Sequence, residues 1–183
     1  MSKYTLVIHP DDRSTDFLKY IYQDLPNTTV ITGGKTQNQI IDLIQTHDRI
    51  IMLGHGTPHG LLSVNQFPGS GHIINSEIVP YLKRTENIFI WCYASDFVSR
   101  YNLKGFCSGM FISEVSEADY LDVTATQADV DISNMLFAYT LGKALLNKDD
   151  LFTVMGKVKT AYFTMTAINE VAGYNNGRLR LMD

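Results

Sequence analysis

The chain has 183 residues, which is enough for one domain with a hydrophobic core. Hydrophobic residues make up 45% of it and charged residues 19%, a mix typical of globular proteins and not of disordered or fibrous ones. The net charge of −4, without any run of like charges, gives no reason to expect a nucleic-acid partner or a membrane surface.

The N-terminus does not have the pattern of a signal peptide. Its apolar run is short and is broken by His9 and Pro10, and no stretch is long enough to span a membrane. We therefore expect a cytoplasmic protein. In that reducing compartment its two cysteines, Cys92 and Cys107, are expected to be free thiols, although they could pair elsewhere.

Short apolar runs alternate with segments of helical periodicity along the chain. The predicted strands lie at 4–9, 27–32, 49–53, 87–92 and 109–113. The predicted helices lie at 14–25, from 36 onward, and at 75–83, 95–101, 128–146 and 150–167. We also expect a small hairpin at 61–64, an acidic loop at 114–119, and an edge-strand alternation at 178–181. The alternation predicts an α/β fold, a mostly parallel central sheet covered on both faces, in a single domain over 1–183.

Right-handed crossovers place the C-terminal ends of parallel strands along one edge of a sheet. Four side chains fall at such predicted ends: His9, His55, Cys92 and Ser113. Ligands of open α/β sheets bind at that edge, so we expect the functional residues there.

The stretch 49–60 gives the clearest prediction of this edge, because an apolar run typical of a buried strand ends at a histidine flanked by glycines. A strand-end cysteine becomes a nucleophile when a base favours its thiolate, and His55 is a candidate base for Cys92. Acyl transfer also needs donors for the oxyanion. The backbone N–H groups of Gly56 and Cys92 are candidates for that role.

Two segments resemble the caspase-like (clan CD) cysteine peptidases, a group that includes caspases, metacaspases, gingipains, legumains, clostripains and CHAT domains. They are residues 50–56, IIMLGHG, and residues 88–94, IFIWCYA. The resemblance extends over residues 4–144. It implies a three-layer α/β/α sandwich without metal or cofactor, in which His55 is the general acid/base, Cys92 the nucleophile, and Gly56 and Cys92 the oxyanion donors.

The chain departs from this family in two places. Trp91 precedes the cysteine where many members have a small residue. Only a short helical segment separates the fourth and fifth predicted strands, so no cleavage of the caspase kind is expected there.

In this architecture the loops after the strands form the pocket for the residue before the scissile bond. Carboxylates dominate those loops in this chain: Asp11, Asp12, Asp96, Glu114 and Glu117. A pocket carboxylate pairs well with arginine or lysine, so we expect cleavage after a basic residue of a peptide or protein. Arg13 leaves the opposite preference, for acidic residues, open.

Other functions compatible with the sequence are a non-catalytic caspase-like or flavodoxin-like binding module and a zinc hydrolase. The zinc site would use His55 and His59 with His9, Asp11, Asp12 or His72. The sequence GFCSG at 105–109 fits a nucleophile elbow, but the predicted strand follows it instead of preceding it, and no histidine occurs after His72. The oligomeric state is left open.

Overall fold

A computed structural model describes residues 3–69 and 71–183 of the chain. Its main sheet has six strands: β1 (Thr5–Ile8), β2 (Thr28–Ile31), β3 (Arg49–Leu53), β7 (Glu86–Ile90), β8 (Gly105–Ser108) and β9 (Leu179–Met182). Their order across the sheet is β2-β1-β3-β7-β8-β9. The pairs β1–β2, β1–β3, β3–β7 and β7–β8 are parallel. The prediction of an α/β fold with a mostly parallel central sheet is therefore confirmed.

A second, smaller sheet follows β3 directly. It has three antiparallel strands: β4 (Gly56–Thr57), β5 (Gly60–Leu62) and β6 (His72–Ile74). The predicted hairpin at 61–64 is placed a few residues too late, because β5 pairs back with the residues that immediately follow His55.

Seven α-helices are found among the described residues: α1 (Gln37–Gln45), α2 (Val79–Leu82), α3 (Ala94–Arg100), α4 (Val115–Tyr120), α5 (Gln127–Leu146), α6 (Leu151–Met165) and α7 (Glu170–Asn176). The segment Arg13–Ile21 forms a 3-10 helix in place of the first predicted α-helix. Thr36 caps α1 as predicted, and Asp150 caps α6 by accepting from the Thr153 N–H at 2.7 Å.

The prediction of a fifth strand at 109–113 is wrong. The strand at this place in the sheet is β8, which ends at Ser108. The more apolar residues after it do not pair in the sheet: Phe111 and Ile112 are buried among helices, and Ile112 packs with Ala118, Val130 and Val171. The predicted acidic loop at 114–119 is mostly helix α4.

The described chain divides into two compact units. One comprises residues 3–13, 26–69, 71–109 and 180–183, and the other comprises residues 14–25 and 110–179. The assignment of one domain to residues 1–183 stays a prediction. In the first unit, β1, β3 and β7 form the centre of the sheet, and an aromatic cluster of Phe89, Trp91 and Phe97 packs beside them.

The second unit is built around two ring contacts and a buried polar network. Phe137 lies 5.0 Å from Phe111 and stacks on Tyr162 at 6.2 Å. Asn175 closes the network, because its amide accepts from the Ile112 N–H at 2.8 Å and donates to the Ile112 carbonyl at 2.9 Å. Burial raises the pKa of Tyr162, whose hydroxyl donates to the Ser133 carbonyl at 3.2 Å.

In the described part of the chain, no helix combines the length and the apolar character that crossing a membrane requires.

Candidate active site at the ends of two central strands

The central strands β3 and β7 end beside each other. Leu53 pairs with Ile90 in the last register position, and the Gly54 N–H then donates to the Ile90 carbonyl at 3.0 Å. His55 and Cys92 each follow two residues after that pair. Since neighbouring strands lie about 4.8 Å apart, both residues leave the sheet at adjacent positions of one edge. Both are partly exposed.

Cys92 lies in a sharp turn between β7 and α3. The next residue, Tyr93, has φ 66° and ψ 23°, which is the left-handed region. The turn is closed by the Ala94 N–H, which donates to the Trp91 carbonyl at 3.1 Å. A bulky residue in this conformation is uncommon and costs about 1–2 kcal/mol, so the turn is held by its surroundings.

Trp91 packs against the backbone of Gly56. A Cβ at position 56 would lie 2.0 Å from Cδ1 of the Trp91 ring, so only glycine fits there. The indole is 2% exposed, and its Nε1–H donates to the Thr57 carbonyl at 3.2 Å. Trp91 therefore belongs to the interior of the first unit and ties the segment after His55 to the segment before Cys92.

The N–H of Gly56 points away from β5. The Leu62 N–H donates to the His55 carbonyl at 2.8 Å, and Gly56 pairs with Leu61. In an antiparallel ladder this makes Gly56–Leu61 a pair without mutual hydrogen bonds, whose N–H groups face outward. The backbone donor at Gly56 is thus not used by the small sheet.

Asp12 lies beside His55, with its Oδ1 4.0 Å from the histidine Nε2. The two side chains are 34% and 30% exposed, so the contact is weak in its present geometry. The pair carries opposite charges only when His55 is protonated. Asp12 was predicted to bind substrate, and its contact with His55 is a feature that the sequence did not predict.

The other predicted substrate-binding carboxylates are spread out. Asp11 is exposed after β1, and Asp96 is exposed on α3. Glu114 belongs to the second unit, where it precedes the first residue of α4. The Glu117 carboxylate accepts from the N–H and Oγ of Ser113, at 2.7 and 2.9 Å, and from the Glu114 N–H at 3.1 Å. Glu117 therefore serves the local structure of that loop.

The second cysteine is enclosed. Cys107 lies inside β8, paired with Phe89, and its side chain is fully buried. Burial raises the pKa of the Cys107 thiol from 9.0 to about 12; Asp96 adds to the rise, and Arg180 opposes it. A cysteine within a strand does not occupy a nucleophile elbow, so the sequence GFCSG does not form one.

The remaining histidines of the small sheet hydrogen-bond to their neighbours. His72 Nε2 lies 2.8 Å from Thr57 Oγ1, and an Arg100 guanidinium nitrogen lies 3.0 Å from His59 Nδ1. Burial lowers the pKa of His72, and His59 lowers it further. Within residues 3–69 and 71–183, no group of three His, Cys, Asp or Glu side chains is arranged to hold a metal ion.

Comparisons with known proteins add little to this geometry. No model of a known protein family matches the chain, and no curated protein matches it. Among solved structures, it is similar to a chain of the Salmonella typhimurium response regulator RcsB, from a structure described as showing conformational dynamism for DNA interaction. The identity is 12%, the TM-score is 0.33, and the match covers 94% of this chain and 96% of the other. A TM-score of this size carries no argument about the fold or the function of this chain.

Proposed function

We propose that the protein is a cysteine endopeptidase that hydrolyses peptide bonds with a His55–Cys92 dyad, on a caspase-like three-layer α/β/α fold. One observation carries the proposal: β3 and β7 end at the paired residues Leu53 and Ile90, and each is followed at the same distance by one member of the dyad. Chance placement of a histidine and a partly exposed cysteine at matching positions of neighbouring strands is improbable.

The proposed reaction begins with proton transfer from the Cys92 thiol to His55. The Cys92 Sγ then attacks the carbonyl carbon of the scissile bond, and the electron pair of the C=O bond moves to oxygen. His55 passes its proton to the leaving nitrogen as the C–N bond breaks, which leaves a thioester on Cys92. A water that gives a proton to His55 hydrolyses this thioester, and the proton returns to the sulfur.

The N–H groups of Gly56 and Cys92 are the proposed donors to the oxyanion. The outward direction of the Gly56 N–H supports this role, because a donor used in a strand ladder would be unavailable.

The proposed specificity is for a basic residue before the scissile bond. Asp11, Asp12 and Asp96 lie in the same compact unit as the dyad and are the proposed contacts for that residue. No metal or cofactor takes part in the proposed reaction, and the partner is a peptide or protein substrate.

The test combines a peptide library with covalent labelling. Peptidyl chloromethyl ketones that end in Arg, Lys or Asp are incubated with the protein, and the adduct is located by mass spectrometry. We expect one adduct per chain, on Cys92, fastest with Arg or Lys. Cys92→Ala is expected to abolish both labelling and hydrolysis, whereas Cys107→Ala retains both.

Hydrolysis that survives in Cys92→Ala would end the proposal. A wild-type protein that neither cleaves the library nor reacts with any of the reagents would favour a binding module. A faster reaction with the Asp reagent would keep the peptidase and reverse its specificity.

A further inference from the structure

Helix α5 exposes a row of large apolar side chains. Ile132 is 48% exposed, Met135 39%, Tyr139 55% and Leu146 39%. Their spacings of three, four and seven residues put them on one face of the helix. Val130, Phe137, Ala138 and Leu141, on the opposite side, are fully buried in their own unit. The exposed residues therefore share one face and are not isolated surface side chains, although Lys143 lies between Tyr139 and Leu146 on that face.

A shallow groove lies beside the C-terminal half of this row. Tyr139, Gly142 and Leu146 line it from α5, and Tyr20 and Asp24 line it from the other side. Gly142 allows the close approach, since a Cβ there would lie 2.5 Å from the Tyr20 carbonyl oxygen. The groove is open to solvent, and its lining is mixed: the rings of Tyr20 and Tyr139 share it with the charged side chains of Asp24 and Lys143.

The charges of α5 differ between its ends. Asp129 and Asp131 lie in the first turns, whereas Lys143 lies in the last turn and Lys148 follows the helix. If two copies of the helix pack antiparallel, the acidic end of each lies against the basic end of the other. The same arrangement brings the exposed Ile132 and Met135 of one copy to the C-terminal half of the other copy's α5, beside its groove.

We propose that this α5 surface, formed by Ile132, Met135, Tyr139, Leu146 and the groove beside them, is the interface of a homodimer. The two α5 helices pack antiparallel about a twofold axis, and Ile132 and Met135 of each copy cover the groove of its partner. In such an interface both copies contribute the same surface, so the assembly is complete with two copies and does not grow into a filament. The proposal is independent of the peptidase chemistry.

Sedimentation velocity over a wide range of protein concentration tests the association. We expect a dimer for the wild-type chain. Ile132→Glu and Met135→Glu, at exposed positions, are expected to keep the native circular dichroism spectrum and to weaken association at least about tenfold, because each buries a carboxylate between the two helices. Phe152→Glu is the matched control, since Phe152 is 73% exposed on α6, outside this surface, and its dimer is expected to be unchanged.

Disulfide trapping tests the antiparallel arrangement, in a Cys92→Ser background that leaves only the buried Cys107. A mixture of Ile132→Cys and Leu146→Cys chains is expected to form a mixed disulfide, because these positions oppose each other when the helices are antiparallel. Leu146→Cys alone is expected to cross-link poorly. A chain that is monomeric at every concentration, a dimer unaffected by both glutamates, or efficient self-cross-linking of Leu146→Cys would each overturn the proposal.

Discussion

The ends of β7 and β8 place two cysteines on neighbouring strands in opposite environments. Cys92 comes two residues after β7, in a turn, and is partly exposed. Cys107 pairs with Phe89 inside the sheet, has no exposed surface, and has a pKa raised to about 12. A shift of three residues relative to the end of a strand thus separates a thiol that reagents can reach from one that is buried in the core.

The comparison shows that the position of a thiol relative to the strand end governs its chemistry more than the polarity of its sequence neighbours. Both cysteines follow a bulky aromatic residue, Trp91 or Phe106. Only the residue after Cys92 adopts a left-handed conformation, which turns the chain out of the sheet. Four experiments test this difference between the two cysteines, and they are given in order of decreasing expected effect.

The largest expected effect is on the labelling rate of the two thiols. A pKa of about 12 in place of 9.0 reduces the thiolate fraction of Cys107 at neutral pH by about a thousandfold, before any steric protection. Iodoacetamide followed by peptide mapping should therefore modify Cys92 alone in the native protein, and both cysteines in urea. Equal labelling rates of Cys92 and Cys107 in the native protein would show that β8 opens readily and that the two thiols do not differ in accessibility.

Alkaline pH should destabilise the protein through Cys107. Its folded pKa is raised, so its contribution is complete below the unfolded value of 9.0 and is lost as the pH rises toward 12. By pH 11 the loss amounts to about 2–3 kcal/mol. Urea unfolding of the wild type and of Cys107→Ala, compared at pH 8 and pH 11, isolates this thiol, because all other groups titrate in both proteins. Parallel pH dependences of the two free energies of unfolding would contradict the prediction.

Serine substitutions should affect stability and activity in opposite ways at the two positions. Cys107→Ser places a hydroxyl in the sheet interior and should lower the free energy of unfolding by about 2 kcal/mol. Cys92→Ser should change it by less than about 0.5 kcal/mol while it removes the proposed hydrolysis. Urea titrations and a peptide cleavage assay measure the two effects, and a strong destabilisation by Cys92→Ser would show that Cys92 has a structural role.

The smallest effect concerns the left-handed turn. Tyr93→Gly and Tyr93→Ala remove the same ring, but only glycine accepts φ 66° without strain. The glycine variant should be the more stable of the two by about 1 kcal/mol, measured by urea unfolding. Equal stabilities would mean that the turn relaxes when the ring is absent.

The sequence predicted the centre of the sheet well, because its strands are uninterrupted apolar runs. β3 matches its predicted bounds, and the predicted strands at 4–9, 27–32 and 87–92 overlap β1, β2 and β7. Thr36 and Asp150 provided correct helix starts, since their side chains satisfy backbone N–H groups there. The sequence placed His55 and Cys92 after two strands, and these strands, β3 and β7, pair in the sheet.

The prediction from sequence failed for apolar residues that are buried outside the sheet. Residues 110–112 are more apolar than the strand Gly105–Ser108, yet they pack among helices of the second unit. The contact between Asp12 and His55 was also missed, because no spacing rule connects a loop after β1 with a loop after β3. One signal could have indicated this contact. If β1 and β3 are neighbours in the sheet, the loops that follow them lie close together.

Trp91 is the only tryptophan of the chain, and it lies directly before Cys92 with its indole against Gly56. Its emission therefore reports on this edge of the sheet and on no other place in the molecule. A ligand that displaces Gly56 or Thr57 changes the environment of the ring and its Nε1 hydrogen bond. The protein thus carries a built-in fluorophore, with which occupancy of the candidate site can be followed in solution without any label.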